Sequence, residues 1–490
     1  MNTESKENSY GSIMKRISAF GGVQIFNILI NLARGKFVAL ILGPSGMGIS
    51  SLFTTSSATI QQLGSLGLNL SIVKEVASAK EDRSRLSDVL HVARRLILLS
   101  SLLGALLCIG LSPWLSKLTF GSYDYTSGFV LLGVAVALSI CGAGYLAILQ
   151  GAGEIKRLSK ASIVGSLTGL LFGVPLYYFF GTSGIVPAMI ILAFTVTVFY
   201  YCSFRKSESM PRLPVTEGNF RQHATLIKRL ISLGIVFMIG TLVGSAINYL
   251  INAYIRWQGS IDDVGLFQGA NSLTNQYMGI VFSALAMDYF PRISAIASDN
   301  SRLRHIVNRQ SELVMLIATP LVMLVMALAP LAIRILLSDD FLVIAPLLRW
   351  LALGVLMQGI SFPLGYLFLA KDNKKVYIWL EVVTGNALWL LTSAGGYWLF
   401  GLIGLGMALV VRGIIDIILN YIICRRCYGF DYSKRTAVTL LLCLTAGATV
   451  FLLSIHDHLA FANLFLCIFT AFTICASVLR MRHLLRSECN

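Results

Sequence analysis

Long apolar runs alternate with short polar segments along almost the whole chain. A helix needs about 20 residues to cross the hydrocarbon core of a bilayer. The pattern predicts an all-α polytopic membrane protein with about fourteen transmembrane helices. The predicted spans are residues 12–42, 46–73, 89–112, 127–149, 158–180, 184–204, 230–255, 264–290, 310–336, 342–370, 376–399, 402–423, 436–455 and 459–479.

Basic residues indicate the orientation of these spans. Most of the 39 Lys and Arg residues fall at the termini and in every second junction between spans. Because cytoplasmic loops are enriched in Lys and Arg, this alternation places both termini in the cytoplasm. The polar segment 1–12 leads into the first span without a small-residue cleavage site, so we expect no cleavable signal peptide.

The composition agrees with a membrane protein. The chain of 490 residues is 56% hydrophobic and 13% charged, whereas soluble domains carry about 25% charged residues. The mean hydropathy is +0.76. The net charge of +16 lies mainly in short loops between spans, so the membrane orientation explains it and we expect no nucleic-acid partner.

The order of spans repeats. Shifted by 217 positions, the first six spans overlay the next six. Since each half has an even number of spans, the two copies share one orientation and predict pseudo-two-fold symmetry about the membrane normal. The predicted domains are an N-lobe at 12–205, a cytoplasmic linker at 206–229, a C-lobe at 230–424 and an additional helical pair at 434–481.

Polar residues recur on single faces of the predicted first, seventh and eighth spans. Polar groups at membrane depth must face protein or water, so we expect these helices to line a cavity between the lobes. The alternative is hydrogen bonding between packed helices. The candidate substrate-binding residues are Gln24, Asn27, Asn31 and Arg34 in the first span, Asn248 and Asn252 in the seventh, and Gln268, Asn271 and Asn275 in the eighth.

Three basic residues in spans are further candidates for binding an anionic substrate. A cation near the bilayer centre costs about 2.5–3.5 kcal/mol, so it needs a partner or a ligand. Arg34 and Lys36 have no acid nearby in the sequence, and they suit phosphate oxygens. Lys36 could instead snorkel to the outer surface. Arg412 precedes Asp416 by one turn and could simply pair with it.

The acidic residues at membrane depth are candidates for ion coupling. Asp288, Glu381 and Asp416 could each take up a proton or a sodium ion. Pairing with nearby basic residues is the alternative for each. We expect no other cofactor and no metal site, because Cys424 and Cys427 have no second pair or histidine cluster to complete one.

Several motifs resemble Wzx-type O-antigen and polysaccharide translocases, which belong to the multidrug/oligosaccharidyl-lipid/polysaccharide (MOP) exporter superfamily. The resemblance covers about residues 12–424. The motifs are Gly35-Lys36 with Leu42-Gly43-Pro44-Ser45-Gly46-Met47-Gly48, Gly67, Lys74-Glu75-Val76-Ala77, Asp262-Asp263-Val264-Gly265-Leu266-Phe267-Gln268-Gly269, Tyr289-Phe290-Pro291-Arg292-Ile293-Ser294, and Tyr366-Leu367 with Ala370-Lys371.

The resemblance implies a flippase for undecaprenyl-diphosphate-linked oligosaccharides in the bacterial inner membrane. Alternating access would carry the head group from the cytoplasmic to the outer leaflet. Arg34 and Lys36 would then attract the diphosphate, and only Lys36 falls on a family motif. The expected partners are this lipid-linked oligosaccharide, membrane lipids, and a polysaccharide polymerase with its chain-length regulator. The extra pair at 434–481 departs from the twelve-span pattern of many members.

Three other functions compete with this interpretation. A multidrug exporter of the same superfamily would need acids in its cavity to bind cations, rather than Arg34. A membrane glycan polymerase or ligase would need a large outer loop with catalytic groups, and none is predicted, so we expect a protein that is not an enzyme. A scaffold for glycan assembly would leave the polar residues at membrane depth unexplained.

Overall fold

The computed structural model describes residues 4–80, 82–207 and 220–455, and positions 470, 473, 477, 479 and 480. Side chains are described for these residues except 4–25, 220–223, 236, 275–277, 280, 284, 287–288 and 374. Every regular element in these ranges is helical. The prediction of an all-α membrane protein is therefore confirmed.

The contacts of the chain group it into two compact units, Met1–Trp257 and Gln258–Asn490. The first unit contains α1 (Glu4–Ser65), α2 (Leu68–Ala79), α3 (Arg83–Gly110), α4 (Ser112–Phe120), α5 (Thr126–Gly151), α6 (Ile155–Phe180), α7 (Ile185–Arg205) and α8 (Phe220–Gln258). The second contains α9 (Ile261–Ala295), α10 (Asn300–Ala327), α11 (Ala329–Leu336), α12 (Ala345–Ala370), α13 (Lys374–Tyr377), α14 (Gly385–Tyr428) and α15 (Lys434–Ile455). A π-helical segment, Ile378–Thr384, joins α13 to α14.

Glycines with positive φ break three long helical stretches. Gly43 interrupts α1 with φ 65° and ψ −166°, and Pro44 follows it. Gly401 interrupts α14 in the same way, with φ 60° and ψ −142°, and Gly181 with φ 56° begins a short 3₁₀ turn between α6 and α7. Left-handed φ values favour glycine because it has no Cβ. The junction between the predicted spans 12–42 and 46–73 is thus a break at one residue, Gly43.

These breaks bear on the number of membrane crossings. Nine stretches within the described residues are long and apolar enough to cross a bilayer. Three of them, Phe26–Ser65, Ile155–Arg205 and Lys375–Tyr428, have 40, 51 and 54 residues, whereas one crossing needs about 20. Each contains one of the glycine breaks and so has the length of two spans. The total of fourteen spans and the symmetry stay predictions.

Each unit has its own apolar core. In the first unit α2 and α3 pack through residues such as Ile72, Val76 and Leu90. In the second unit the core surrounds Tyr289, which is 1% exposed and donates a hydrogen bond of 2.9 Å to the Pro363 carbonyl oxygen. The Tyr289-Phe290-Pro291-Arg292 motif therefore contributes packing between α9 and α12.

Helix α8 packs along the first unit. At one end, Trp257 Nε1 donates to the Leu118 carbonyl oxygen of α4 at 2.9 Å. Near its other end Gly234 meets Gly67 so closely that a Cβ on either glycine would overlap the other backbone segment. The predicted C-lobe begins at residue 230, within α8, whereas the described contacts group α8 with α1–α7. The predicted lobe boundaries stay a prediction.

Candidate functional site

A cavity of about 370 Å³ whose wall combines polar and apolar side chains lies in the first unit. Helices α1, α5, α6 and α7 form its walls. Its volume falls within the range of roughly 300–1,000 Å³ that is usual for small-molecule sites. The polar residues of its wall are Asn31, Arg34, Thr54, Ser57, Gln61, Ser139, Ser166, Thr197 and Tyr200.

The break at Gly43 explains why α1 contributes twice to this wall. Asn31 and Arg34 precede the break, and Ser57 and Gln61 follow it. Each pair is three or four residues apart, which places both members on one helical face. The two segments of α1 therefore bring two polar faces to one cavity.

Arg34 is the cation of this cavity. Its side chain is half-buried, and among the described residues it forms no ion pair with a carboxylate. The hydroxyl and amide groups around it are neutral, and Gln61 Nε2 donates to Ser57 Oγ at 2.9 Å. A guanidinium group in such surroundings favours an anionic ligand that can accept several hydrogen bonds.

The other candidates of the first span lie elsewhere. Lys36 is half-buried and is not part of the cavity wall. Asn27 donates from Nδ2 to Ser162 Oγ of α6 at 2.9 Å. Hydrogen bonding between packed helices was the alternative to a place in the cavity wall, and Asn27 shows such a bond. The side chain of Gln24 lies outside the described residues.

The two asparagines of α8 differ in their surroundings. Asn252 is 3% exposed, and its Nδ2 lies 3.4 Å from Ser51 Oγ and 3.5 Å from Thr55 Oγ1 of α1. Asn248 is exposed. Asn252 thus joins α8 to α1, and neither asparagine lines the cavity.

On α9, in the second unit, Gln268 and Asn271 are half-buried. The side chains of Asn275 and Asp288, two further candidates, lie outside the described residues. The roles predicted for these four residues stay predictions.

A second polar cluster lies in α14 and the π-helical segment. Arg412 Nε is 3.3 Å from Asp416 Oδ2, so the local pairing considered from the sequence is present. The Arg412 guanidinium also lies 5.6 Å from the centroid of the Trp389 ring. Glu381 accepts a hydrogen bond of 3.3 Å from Asn420 Nδ2 and lies near enough to Asp416 for their charges to interact. Two of the three ion-coupling candidates therefore occupy one cluster.

The sequence did not single out Thr54, Ser57 and Gln61. Their spacing at i, i+3 and i+7 was visible, and it was the signal that could have found them. Thr54 Oγ1 donates to the Ser50 carbonyl oxygen at 2.7 Å. Because Ser and Thr often bond to their own helix in this way, their presence alone does not indicate a cavity.

These features define a class: a multi-pass helical membrane protein with a cavity in a helical bundle, where one arginine lies among neutral polar and apolar side chains. The chain belongs to the polysaccharide biosynthesis protein family, whose model matches residues 37–346, well over half of its length. It is 24% identical over 373 residues to the lipid III flippase of Escherichia coli (strain K12). The aligned residues cover 74% of this chain and 87% of the flippase.

Solved structures share the fold. The lipid II flippase MurJ in an inward closed conformation matches with a TM-score of 0.69 at 14% identity, covering 95% of this chain and 99% of MurJ. An inward-facing multidrug resistance MATE family transporter of the MOP superfamily matches with a TM-score of 0.68 at 16% identity, covering 84% of this chain and 95% of the transporter. The resemblance to polysaccharide-transport proteins that the motifs indicated is confirmed by the family match, and these structures show a shared fold.

Proposed function

We propose that this protein is a flippase that moves an undecaprenyl-diphosphate-linked oligosaccharide, the repeat unit of an O-antigen or a similar surface polysaccharide. The cargo passes from the cytoplasmic to the outer leaflet of the bacterial inner membrane. The observation that carries this proposal is Arg34, a membrane-depth cation without a carboxylate partner among the described residues, in a cavity with neutral hydroxyl and amide groups. The name of the lipid III flippase relative supports the substrate class.

The cavity chemistry fits both parts of such a head group. Arg34 supplies N–H donors in the planar arrangement that matches phosphate oxygens. Ser57 and Gln61 offer donors and acceptors for sugar hydroxyl groups. The cavity of about 370 Å³ holds only part of a lipid-linked oligosaccharide. We therefore assign it to the diphosphate and the adjoining sugar, while the polyprenyl chain stays in lipid.

Alternating access is the mechanism that we propose. Movement of the lobe that contains this cavity against the other lobe would expose Arg34 to one leaflet and then to the other, with both termini in the cytoplasm and no covalent chemistry. The similarity in fold to transporters of the MOP superfamily supports this mechanism. A polysaccharide polymerase and its chain-length regulator would act on the cargo after it has crossed.

The cluster of Glu381, Asp416 and Arg412 is our proposed site of coupling to a proton or sodium gradient. Glu381 lies in a seven-residue π-helical segment, and π-helical turns are frequent at functional sites. Arg412 pairs with Asp416, which leaves Glu381 with the neutral Asn420 as its hydrogen-bond donor. A carboxylate at membrane depth with a neutral hydrogen-bond donor can bind a proton or a sodium ion, because the cation neutralises its charge.

The decisive experiment follows the lipid-linked oligosaccharide in cells that depend on Arg34→Gln. Spheroplasts are treated with a membrane-impermeant probe for the glycan, and Arg83→Gln, which alters an exposed arginine at the start of α3, is the matched control. We expect the intermediate to accumulate out of the probe's reach only with Arg34→Gln. Labelled but unpolymerised intermediates outside would indicate a polymerase or a scaffold, and no accumulation would show that transport of the head group does not depend on Arg34.

A further inference from the structure

The second unit contains a groove that the proposed transport function does not use. Its volume is about 610 Å³. Helices α10 and α15 form its walls, together with three described positions near the end of the chain. The uncharged residues of its wall include Leu316, Val438, Leu442, Ala446, Thr473 and Ser477.

The apolar side of this groove is open to its surroundings. Val438 is 56% exposed and Leu442 is 63% exposed, and together with Ala446 they follow one another at one-turn intervals along α15. In a protein that spans a membrane, an exposed apolar stripe of this kind faces lipid. A hydrocarbon chain can therefore lie along it.

Three basic residues line the groove. Lys434 and Arg435 lie in the first turn of α15, one turn before Val438. Thr473 Oγ1 contacts the Met323 sulfur of α10 at 3.5 Å. Arg480 lines the same groove as Lys434 and Arg435.

One acidic side chain moderates this positive charge. Glu312 is 4% exposed and accepts a hydrogen bond of 2.9 Å from Thr436 Oγ1. Its other oxygen lies 3.9 Å from Arg435 Nε, so the charge of Glu312 partly offsets that of Arg435. Lys434 and Arg480 remain at the groove wall as the cations that can face a ligand.

We propose that this groove binds an anionic phospholipid of the cytoplasmic leaflet. Lys434 and Arg480 contact its phosphate, and one acyl chain lies along Val438, Leu442 and Ala446. Basic pockets between transmembrane helices on the cytoplasmic side bind anionic lipid head groups in this manner, and the charge alternation of the sequence predicts that this end of α15 is cytoplasmic. Two cations suit the single negative charge of a phosphodiester head group.

The experiment measures lipid binding rather than transport. The full-length protein is purified in detergent, and native mass spectrometry follows titrations with phosphatidylglycerol and phosphatidylcholine that carry identical acyl chains. The charge variant is Lys434→Gln/Arg480→Gln, and Leu442→Trp fills the groove while leaving its charge intact. The matched control, Lys156→Gln/Lys160→Gln, removes two exposed cations from α6 in the first unit.

We expect the wild-type protein and the control to bind phosphatidylglycerol more tightly than phosphatidylcholine. Two lysine or arginine contacts correspond to roughly a thirtyfold preference, which the charge variant should lose. Leu442→Trp should weaken the binding of phosphatidylglycerol. An unchanged preference in the charge variant, or an equal loss in the control, would overturn the proposal. So would displacement of phosphatidylglycerol by stoichiometric undecaprenyl phosphate, since the groove would then belong to the cargo.

Discussion

Arg229 Nε lies 2.8 Å from Glu75 Oε1, and this ion pair joins α8 to α2 within the first unit. Glu75 is 1% exposed, while the Arg229 side chain is 58% exposed. Arg85 approaches the second oxygen of Glu75 only to 3.9 Å. Glu75 belongs to the Lys74-Glu75-Val76-Ala77 motif, so a motif that indicated the family from sequence also attaches α8 to its unit.

Removing one partner of this pair should destabilise the protein more than removing both. Arg229→Gln leaves a buried carboxylate with only the distant Arg85, and we expect a loss of about 1–3 kcal/mol, reduced by the exposure of Arg229. Glu75→Gln/Arg229→Gln removes the uncompensated charge and should recover much of that loss. Unfolding of the purified single and double variants in detergent measures the difference. Additive losses would show that the two residues do not act as a pair.

We expect that position 234 tolerates no side chain, because Gly234 of α8 approaches Gly67 closely. In Gly234→Ala the new Cβ would overlap the Leu66 carbonyl oxygen, so α8 must shift, and we expect a loss of about 1–3 kcal/mol. Gly240→Ala, six residues further along the same helix, meets nothing within 4 Å and should be neutral or slightly stabilising, since alanine favours helix. Thermal unfolding of both variants tests this contrast. Equal melting temperatures of Gly234→Ala and Gly240→Ala would mean that the contact between Gly234 and Gly67 has room for a methyl group.

The sequence predicted the helices well and the partners of single side chains poorly. Apolar runs long enough to cross a bilayer and the glycine-proline pair at Gly43 are local signals, so the helical class and the break at Gly43 could be predicted. Arg34 was also found, because a cation in an apolar run is conspicuous. That Asn27 bonds to Ser162, 135 positions away, depends on how α1 and α6 pack. No spacing within the first span distinguishes Asn27 from Asn31, which faces the cavity.

We expect substitutions of Arg34 and Lys36 to affect transport differently, because only Arg34 lines the cavity. Arg34→Lys keeps the charge but loses the planar donor arrangement, so transport should fall by about tenfold, and Arg34→Gln should reduce it further. Lys36→Ala should have a much smaller effect, because Lys36 lies outside the cavity wall. Quantitative labelling of the translocated glycan in spheroplasts ranks these variants. A larger defect in Lys36→Ala than in Arg34→Gln would place the diphosphate elsewhere.

Glu381 allows coupling to be tested separately from folding. Glutamine keeps an oxygen that can accept the hydrogen bond from Asn420 but cannot bind or release a proton. We therefore expect Glu381→Gln to fold with near-normal stability, while its transport no longer rises when a proton or sodium gradient is imposed on vesicles. Asp416→Asn should behave differently, because it leaves Arg412 without its carboxylate partner at 3.3 Å and should lower stability by about 1–3 kcal/mol. If transport by Glu381→Gln still follows the gradient as in the wild type, coupling does not pass through this cluster.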